Sequence, residues 1–254
     1  HKVRAMLLSI SVVIPAKNEQ GNIGKLVKEI HASLEAYPNV EIVITDDGST
    51  DDTVQEALEA AKGCGCDLQV VSHEQSCGQS TAVLTAVKHA KGEWIVTSDA
   101  DGQNDPSDMP KMLELAAKVS NPNFCIAGYR AKRLDTAWVR FQSKVANRVR
   151  HALLGDGVPD SGCGLKVIPK STYLRLPYFD HMHRFLPALI KAMGGEIVVH
   201  PVAHRDREAG TSNYNAWNRA WVGIVDMFGV IWLQKRTKNP MIKAVSIANE
   251  NAKQ

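Results

Sequence analysis

The sequence is poor in cysteine, nearly balanced in charge and without a long uncharged apolar run. Its five cysteines, Cys64, Cys66, Cys77, Cys125 and Cys163, are odd in number and irregularly spaced. That fits neither a disulfide framework nor a C-x-x-C zinc pair, and the "CGC" at 64–66 is tighter than the usual zinc knuckle. All five read as reduced thiols of a cytosolic setting. The 30 Lys and Arg stand against 27 Asp and Glu, for a net charge of +3. With no long basic tract before the C-terminal end, nucleic acid is not the expected partner. No segment reaches the ~18 residues of a conventional transmembrane helix. The nearest, "AWVGIVDMFGVIWL" at 220–233, is too short and contains Asp226. No secretory leader is evident, and the residues before Met6 read as a tag remnant. G-x-G-x-x-G and the Walker A sequence are both missing, so neither a dinucleotide oxidoreductase nor a P-loop NTPase is supported.

What is present is ordinary globular material: 254 residues, 44% hydrophobic and 22% charged, enough for one large α/β domain or two small ones. Strand and helix signals alternate. Strands are predicted at 7–16, 40–49, 66–73, 93–101 and 124–130, and helices at 22–37, 50–63, 77–92 and 106–120. This rhythm predicts a mostly parallel sheet with helices on both faces, and in such sheets ligands sit outside the carboxyl ends of the strands. The polar residues fall at those ends: "NE" after the first strand, "DDGS" after the second, "DADGQ" after the fourth and "YR" after the fifth. Beyond residue 130 come a basic stretch with helical spacing, a Gly-rich turn and short strand at 158–170, a helix at 179–195 and a strand from 196. The last helix places Trp217, Trp221, Ile224, Val225, Phe228, Ile231 and Trp232 on one face, followed by Lys235, Arg236 and Lys238. A core-facing helix shows such a stripe; so does an interfacial helix meeting anionic headgroups.

Asp99, Asp101 and Gln103 alternate along an extended backbone, so their side chains can converge at one strand end. Two carboxylates and an amide oxygen suit a hard cation, Mg²⁺ or Mn²⁺. The segment follows a strand and lacks the closing Glu of a calcium EF-hand. Mg²⁺ completes its shell with phosphate oxygens, so the cluster implies a diphosphate-bearing substrate. Asp105, before Pro106, reads as a turn into the next helix. Asp46, Asp47 and Glu19 are candidates for a nucleoside's base or ribose. His181, His183 and Arg184 in "HMHRF" read as the start of an amphipathic helix rather than a metal pair.

"VVIPAKNE", "DDGSTDDT" and "DADGQNDP", in that order, resemble a family 2 glycosyltransferase of the GT-A fold. "RFQSKVAN", "DSGCGLKV" and "REAGTSNY" resemble the polyprenyl-phosphate branch of that family, over residues 9 to 233. The resemblance implies inverting transfer of a sugar from a UDP- or GDP-linked donor to a polyprenyl phosphate, with the metal at Asp99, Asp101 and Gln103. It implies nucleotide-sugar contacts at Pro15, Ala16, Glu19, Asp46, Asp47, Asp99, Arg207 and Ser212. Acceptor contacts fall at Arg130, Arg140, Ser143, Asp160 and Lys166, with Asn147 at a matching spacing. Asp101, Arg130, Arg140, Ser143 and Arg207 carry the chemistry in this reading. Asn213 stands where the family often has Lys, and the C-terminal transmembrane helices of many relatives are not in this sequence. The expected organisation is a catalytic domain at 7–214, with a nucleotide-sugar and metal half at 7–130 and an acceptor half at 131–214. A membrane-facing or dimerising helix and tail at 215–254 follows. The expected location is the cytoplasmic face of the inner membrane, attached peripherally. A hydroxyl-acceptor transferase and a non-catalytic nucleotide-sugar-binding protein are the alternatives; the first needs a general base, and no Q-x-x-R-W motif of processive synthases is present.

Overall fold

A computed structural model of the chain describes residues 8–130, 154–205 and 216–238, with side chains in the last stretch from residue 223. The strands are β1 (Ile10–Ala16), β2 (Val40–Asp46), β3 (Asp67–Ser72), β4 (Trp94–Thr97), β5 (Phe124–Arg130), β6 (Lys166–Pro169) and β7 (Glu196–Val202). The helices are α1 (Ile23–Ser33), α2 (Thr53–Cys64), α3 (Gln79–His89), α4 (Met109–Ala116), α5 (Lys170–Leu174), α6 (Leu186–Ala192) and α7 (Ala216–Arg236).

The strands form one sheet in the order β3-β2-β1-β4-β6-β5-β7. All pairings are parallel except those of β6, which runs antiparallel to both β4 and β5. This is the GT-A arrangement, with β6 inserted from the second half of the chain between two strands of the first. β1 shows why the sheet is covered on both sides. Val12 and Ile14 pack into one core with α1, α2 and α4, whereas Val13, between them, packs into the other with α3 and α6. Alternate side chains of a strand point to opposite faces, so a strand this apolar needs helices above and below.

Two sequence expectations change. The helix expected over 179–195 is broken: His181 takes a left-handed backbone (φ 62°), a 3₁₀ turn covers 182–184, and α6 opens only at Leu186 with Pro187 in its first turn. Proline lacks the N–H that a helix interior needs but is accommodated at a helix start. The apolar stripe of α7 also divides. Val230 is buried and Met227, Ile231 and Leu233 pack on the body, while Ile224, Val225, Phe228 and Trp232 are exposed. Trp217 and Trp221 have side chains outside the described residues.

Candidate active site at the carboxyl edge of the sheet

The six parallel strands end along one edge, which brings "AKNE", "DDGST" and "DADGQ" together from sequence separations of about thirty to eighty residues. The first two loops are laced by side-chain-to-backbone bonds. Asn18, with φ 53°, donates its N–H to Ser49 Oγ (2.9 Å) and accepts from Thr50 N–H through Oδ1 (2.8 Å). Glu19 N–H donates to Thr53 Oγ1 (2.8 Å), and Glu19 Oε2 accepts from Asn22 Nδ2 (2.9 Å) at the entry to α1. Glu56 on α2 accepts from the N–H groups of Gly21 and Gly24 (2.7 and 2.9 Å). Any Cβ on Gly24 would meet Glu56 at 2.9 Å. These bonds satisfy N–H groups that the start of a helix leaves unpaired.

Pro15 and Ala16 form the last rungs of β1, opposite Thr45 and Asp46 of β2. Asp46 is buried, and its Oδ1 accepts from Ser49 N–H (3.0 Å). Asp47 has a different occupation. Its Oδ1 accepts from Cys77 N–H and His73 Nδ1, both at 2.8 Å, and its Oδ2 from Ser76 Oγ (2.7 Å) and Gly78 N–H (3.0 Å). Burial opposes ionisation of this carboxyl, but the bonds from Cys77, His73, Ser76 and Gly78 outweigh it and hold its pKa below the ordinary value. Four donors fill a carboxylate's acceptor sites. Asp47 therefore anchors the loop entering α3.

Asp99 and Asp101 follow directly on β4. Asp99 Oδ1 accepts from Gln79 Nε2 (3.0 Å) and Oδ2 from Asn104 Nδ2 (3.3 Å). Burial raises the Asp99 pKa and the charge of Asp101 raises it further; Lys166, Asn104 and Arg130 hold it back. Asp101 Oδ1 accepts from the Gln103 backbone N–H (3.1 Å), while the Gln103 side-chain amide makes no hydrogen bond among the described residues. Asp105 accepts from Ser107 N–H (2.9 Å) with Pro106 in the first turn, as its place in the sequence suggested. Its carboxylate also grips Arg205, with Nε at 3.1 Å and Nη2 at 2.8 Å, and Arg205 Nη1 reaches Glu29 on α1 (2.7 Å). The chain after β7 is thus fastened beside Asp101 and Gly102, with which Arg205 lines a small cavity.

"DSGCGLKV" passes behind Asp99. Gly164 leaves room for its carboxylate, and Thr97 Oγ1 donates to Gly164 O (2.5 Å). Asp160, expected at the acceptor, binds Arg130 in a two-pronged pair, with Nε to Oδ2 at 2.6 Å and Nη2 to Oδ1 at 2.9 Å. That pairing raises the Arg130 pKa. Lys166, also expected at the acceptor, is only 3% exposed; its ammonium donates to the Cys163 carbonyl from within β6. Its charge opposes the rise of the Asp99 pKa. Arg140, Ser143, Asn147, Arg207, Ser212 and Asn213 lie outside the described residues. Sequence reading missed Gln79, Asn104 and Arg205. The two amides carry no periodicity or charge to mark them, and Arg205 finds its partners only through the sheet topology.

The glycosyl transferase family 2 model matches residues 11–175. Dodecaprenyl-phosphate galacturonate synthase of Rhizobium johnstonii is 32% identical, over 92% of this chain and 69% of its own length. Undecaprenyl-phosphate 4-deoxy-4-formamido-L-arabinose transferase of Edwardsiella ictaluri is 31% identical, over 81% of this chain and 62% of its own, so the chain spans under two thirds of that relative. Among solved structures, glucosyl-3-phosphoglycerate synthase of Mycobacterium tuberculosis, in complex with Mn²⁺, UDP and phosphoglyceric acid, superposes with a TM-score of 0.66 at 19% identity, covering 94% of this chain and 82% of that one. Mannosyl-3-phosphoglycerate synthase from Rubrobacter xylanophilus gives 0.65 at 17% identity, covering 96% and 80%. By motif order, sheet topology and family match, the chain belongs to glycosyl transferase family 2.

Proposed function

We propose that the protein transfers a sugar from a nucleoside diphosphate donor to a polyprenyl phosphate, with inversion, using a divalent cation held by Asp99, Asp101 and Gln103. The observation that carries this reading is the pair of carboxylates after β4. Asp99 is raised by its burial and by Asp101, and two such charges on oxygen-only donors suit Mg²⁺ or Mn²⁺. The Gln103 amide, making no hydrogen bond among the described residues, can join them. When bound, such an ion offsets the diphosphate charge and stabilises the departing nucleoside diphosphate.

The chain's own residues do the positioning. Gln79 and Asn104 orient the Asp99 carboxylate, and Asp105 with Arg205 fixes the turn that carries Asp101 and Gln103. Asp46, at the end of β2, is the candidate contact for the nucleoside. Arg140 and Ser143 for the acceptor, and Arg207 and Ser212 for the diphosphate, remain proposals from the family resemblance. In the reaction the bond from the anomeric carbon to the donor diphosphate breaks as one to a lipid-phosphate oxygen forms. That oxygen is already anionic near neutral pH, so no general base is required, and placement with charge stabilisation supplies the rate. The named activities of the Rhizobium and Edwardsiella relatives support the lipid-phosphate acceptor.

The exposed face of α7 fits a peripheral contact with the membrane that carries such a lipid. Phe228 and Trp232 are 63% and 59% exposed, Arg236 stacks over the Trp232 ring at 5.8 Å, and Lys235 and Lys238 flank it. No helix among the described residues is long and apolar enough to cross a membrane. The test is incubation of the full chain with UDP- and GDP-sugars, Mn²⁺ or Mg²⁺, and either undecaprenyl phosphate or a saccharide. Sugar appearing on the lipid phosphate with inverted configuration supports the proposal; transfer to the saccharide alone overturns it.

A further inference from the structure

The opposite edge of the sheet holds a second group of potential ligands, chemically unlike the first. His31 sits in the last turn of α1, Cys64 ends α2, and Cys66 immediately precedes β3. One imidazole nitrogen and the two sulfurs lie within 4.8 Å of one another. Gly65 makes this possible. It caps α2 in the left-handed region (φ 72°), with its N–H and that of Cys66 both donating to the Ala61 carbonyl, so the backbone reverses between the two cysteines. Both thiols are half-buried and neither is in a disulfide. His31 and Cys66 line a cavity of about 300 Å³ that Glu35, Tyr37 and Asp67 also border, leaving space for a further ligand.

We propose that His31, Cys64 and Cys66 bind a borderline-soft divalent cation of the Zn²⁺ class, as a site separate from the oxygen-donor carboxylates at the other edge. Tetrahedral coordination at ~2.3 Å to sulfur and ~2.0 Å to nitrogen places donor atoms roughly 3.5–3.8 Å apart, so closing the group around an ion shortens these separations by at most about 1.3 Å. Thiolate and imidazole select such a cation over Mg²⁺. Burial first, and then the neighbouring Cys64, push the Cys66 thiol up to about 12. Metal binding takes thiols as thiolates and so releases protons. The three ligands come from two helices and a strand entry, so the ion would staple α1 to the α2–β3 junction, far from the transfer chemistry.

Co²⁺ titration of the reduced, chelator-treated full chain tests this, because thiolate ligation to Co²⁺ gives a charge-transfer absorption that an all-oxygen site lacks. The wild type should develop that absorption to one equivalent, lose it when Zn²⁺ is added, and melt at a higher temperature with Zn²⁺. Asp101→Ala should keep the absorption, and Cys64→Ser/Cys66→Ser should abolish it while leaving sugar transfer intact. His31→Gln, a milder change at a half-buried position, should weaken binding by at least the ~10-fold that loss of an outer partner costs. Absence of the absorption in the reduced wild type overturns the proposal. So does an absorption that survives the double serine change, or one that His31→Gln leaves at full affinity.

Discussion

Gly164 lies flush against Asp99: a Cβ placed on it would fall 2.2 Å from Asp99 Oδ2 and 2.4 Å from Cγ. The second half of the chain thus shapes the site from behind by omitting a side chain. Gly164→Ala should push the carboxylate out of place at a stability cost of about 1–3 kcal/mol. A displacement near 1 Å at such a position costs roughly 100-fold in rate. Steady-state kinetics beside a denaturant melt separates the two; full turnover in the alanine variant would show that Asp99 does not depend on this contact.

The Arg130–Asp160 fork makes a second prediction. Both side chains are largely buried, at 20% and 10% exposure, so removing one partner strands the other. Asp160→Ala should cost about 3 kcal/mol. Arg130→Lys should not restore the pair, because an ammonium cannot reproduce two parallel N–H bonds. A double-mutant cycle on Arg130 and Asp160, read by urea unfolding, should give a coupling of about 1–3 kcal/mol.

Asp47 sets a pH dependence. Its pKa in the fold lies below the ordinary aspartate value, so the unfolded chain binds the proton more readily. Its stabilisation is then fully present above the unfolded value and is lost as pH falls through the lowered folded one. Asp47→Asn should destabilise the protein near neutral pH, and the gap from wild type should narrow in acid below pH ~3. Unfolding midpoints for both chains across that range check the sign; a gap that widens in acid contradicts it.

Membrane contact by α7 predicts a separation of effects. Phe228→Ser and Trp232→Ser remove exposed apolar surface, so stability should change by under about 0.5 kcal/mol. Each side chain buried in lipid is worth about 1.5–3 kcal/mol, so partitioning to anionic vesicles should weaken by roughly 10- to 100-fold per substitution. Co-sedimentation with such vesicles measures it. Unchanged partitioning would assign that face to another role.

Much of the sheet could be read from the chain, because β1 and β2 are apolar β-branched runs, and the next two helices, read as closing at Gly63 and Gly92, end nearby at Cys64 and His89. The place of Asp105 was legible for the same local reason. β6 was not legible as an antiparallel insertion, since "KVIP" says nothing about which neighbours it pairs with. The burial of Lys166 was not legible either, since it follows from strand pairing. Asp46 and Asp47 are alike in sequence, and only the return of residues 73–78 over Asp47 separates their surroundings. The exposed face of α7 needed the body it docks on, because an apolar helix does not declare which side Val230 will bury.

The central claim is that the carboxylates after β4 hold a divalent ion for the donor diphosphate. Nucleoside diphosphate release, dependent on undecaprenyl phosphate, measured with and without chelator for the wild type and Asp101→Ala, tests it most directly. The account predicts that turnover requires added Mn²⁺ or Mg²⁺ and falls at least ~100-fold in Asp101→Ala, the scale expected when a transition-state charge loses its stabilising partner. Full turnover in chelator, or in Asp101→Ala, would contradict it.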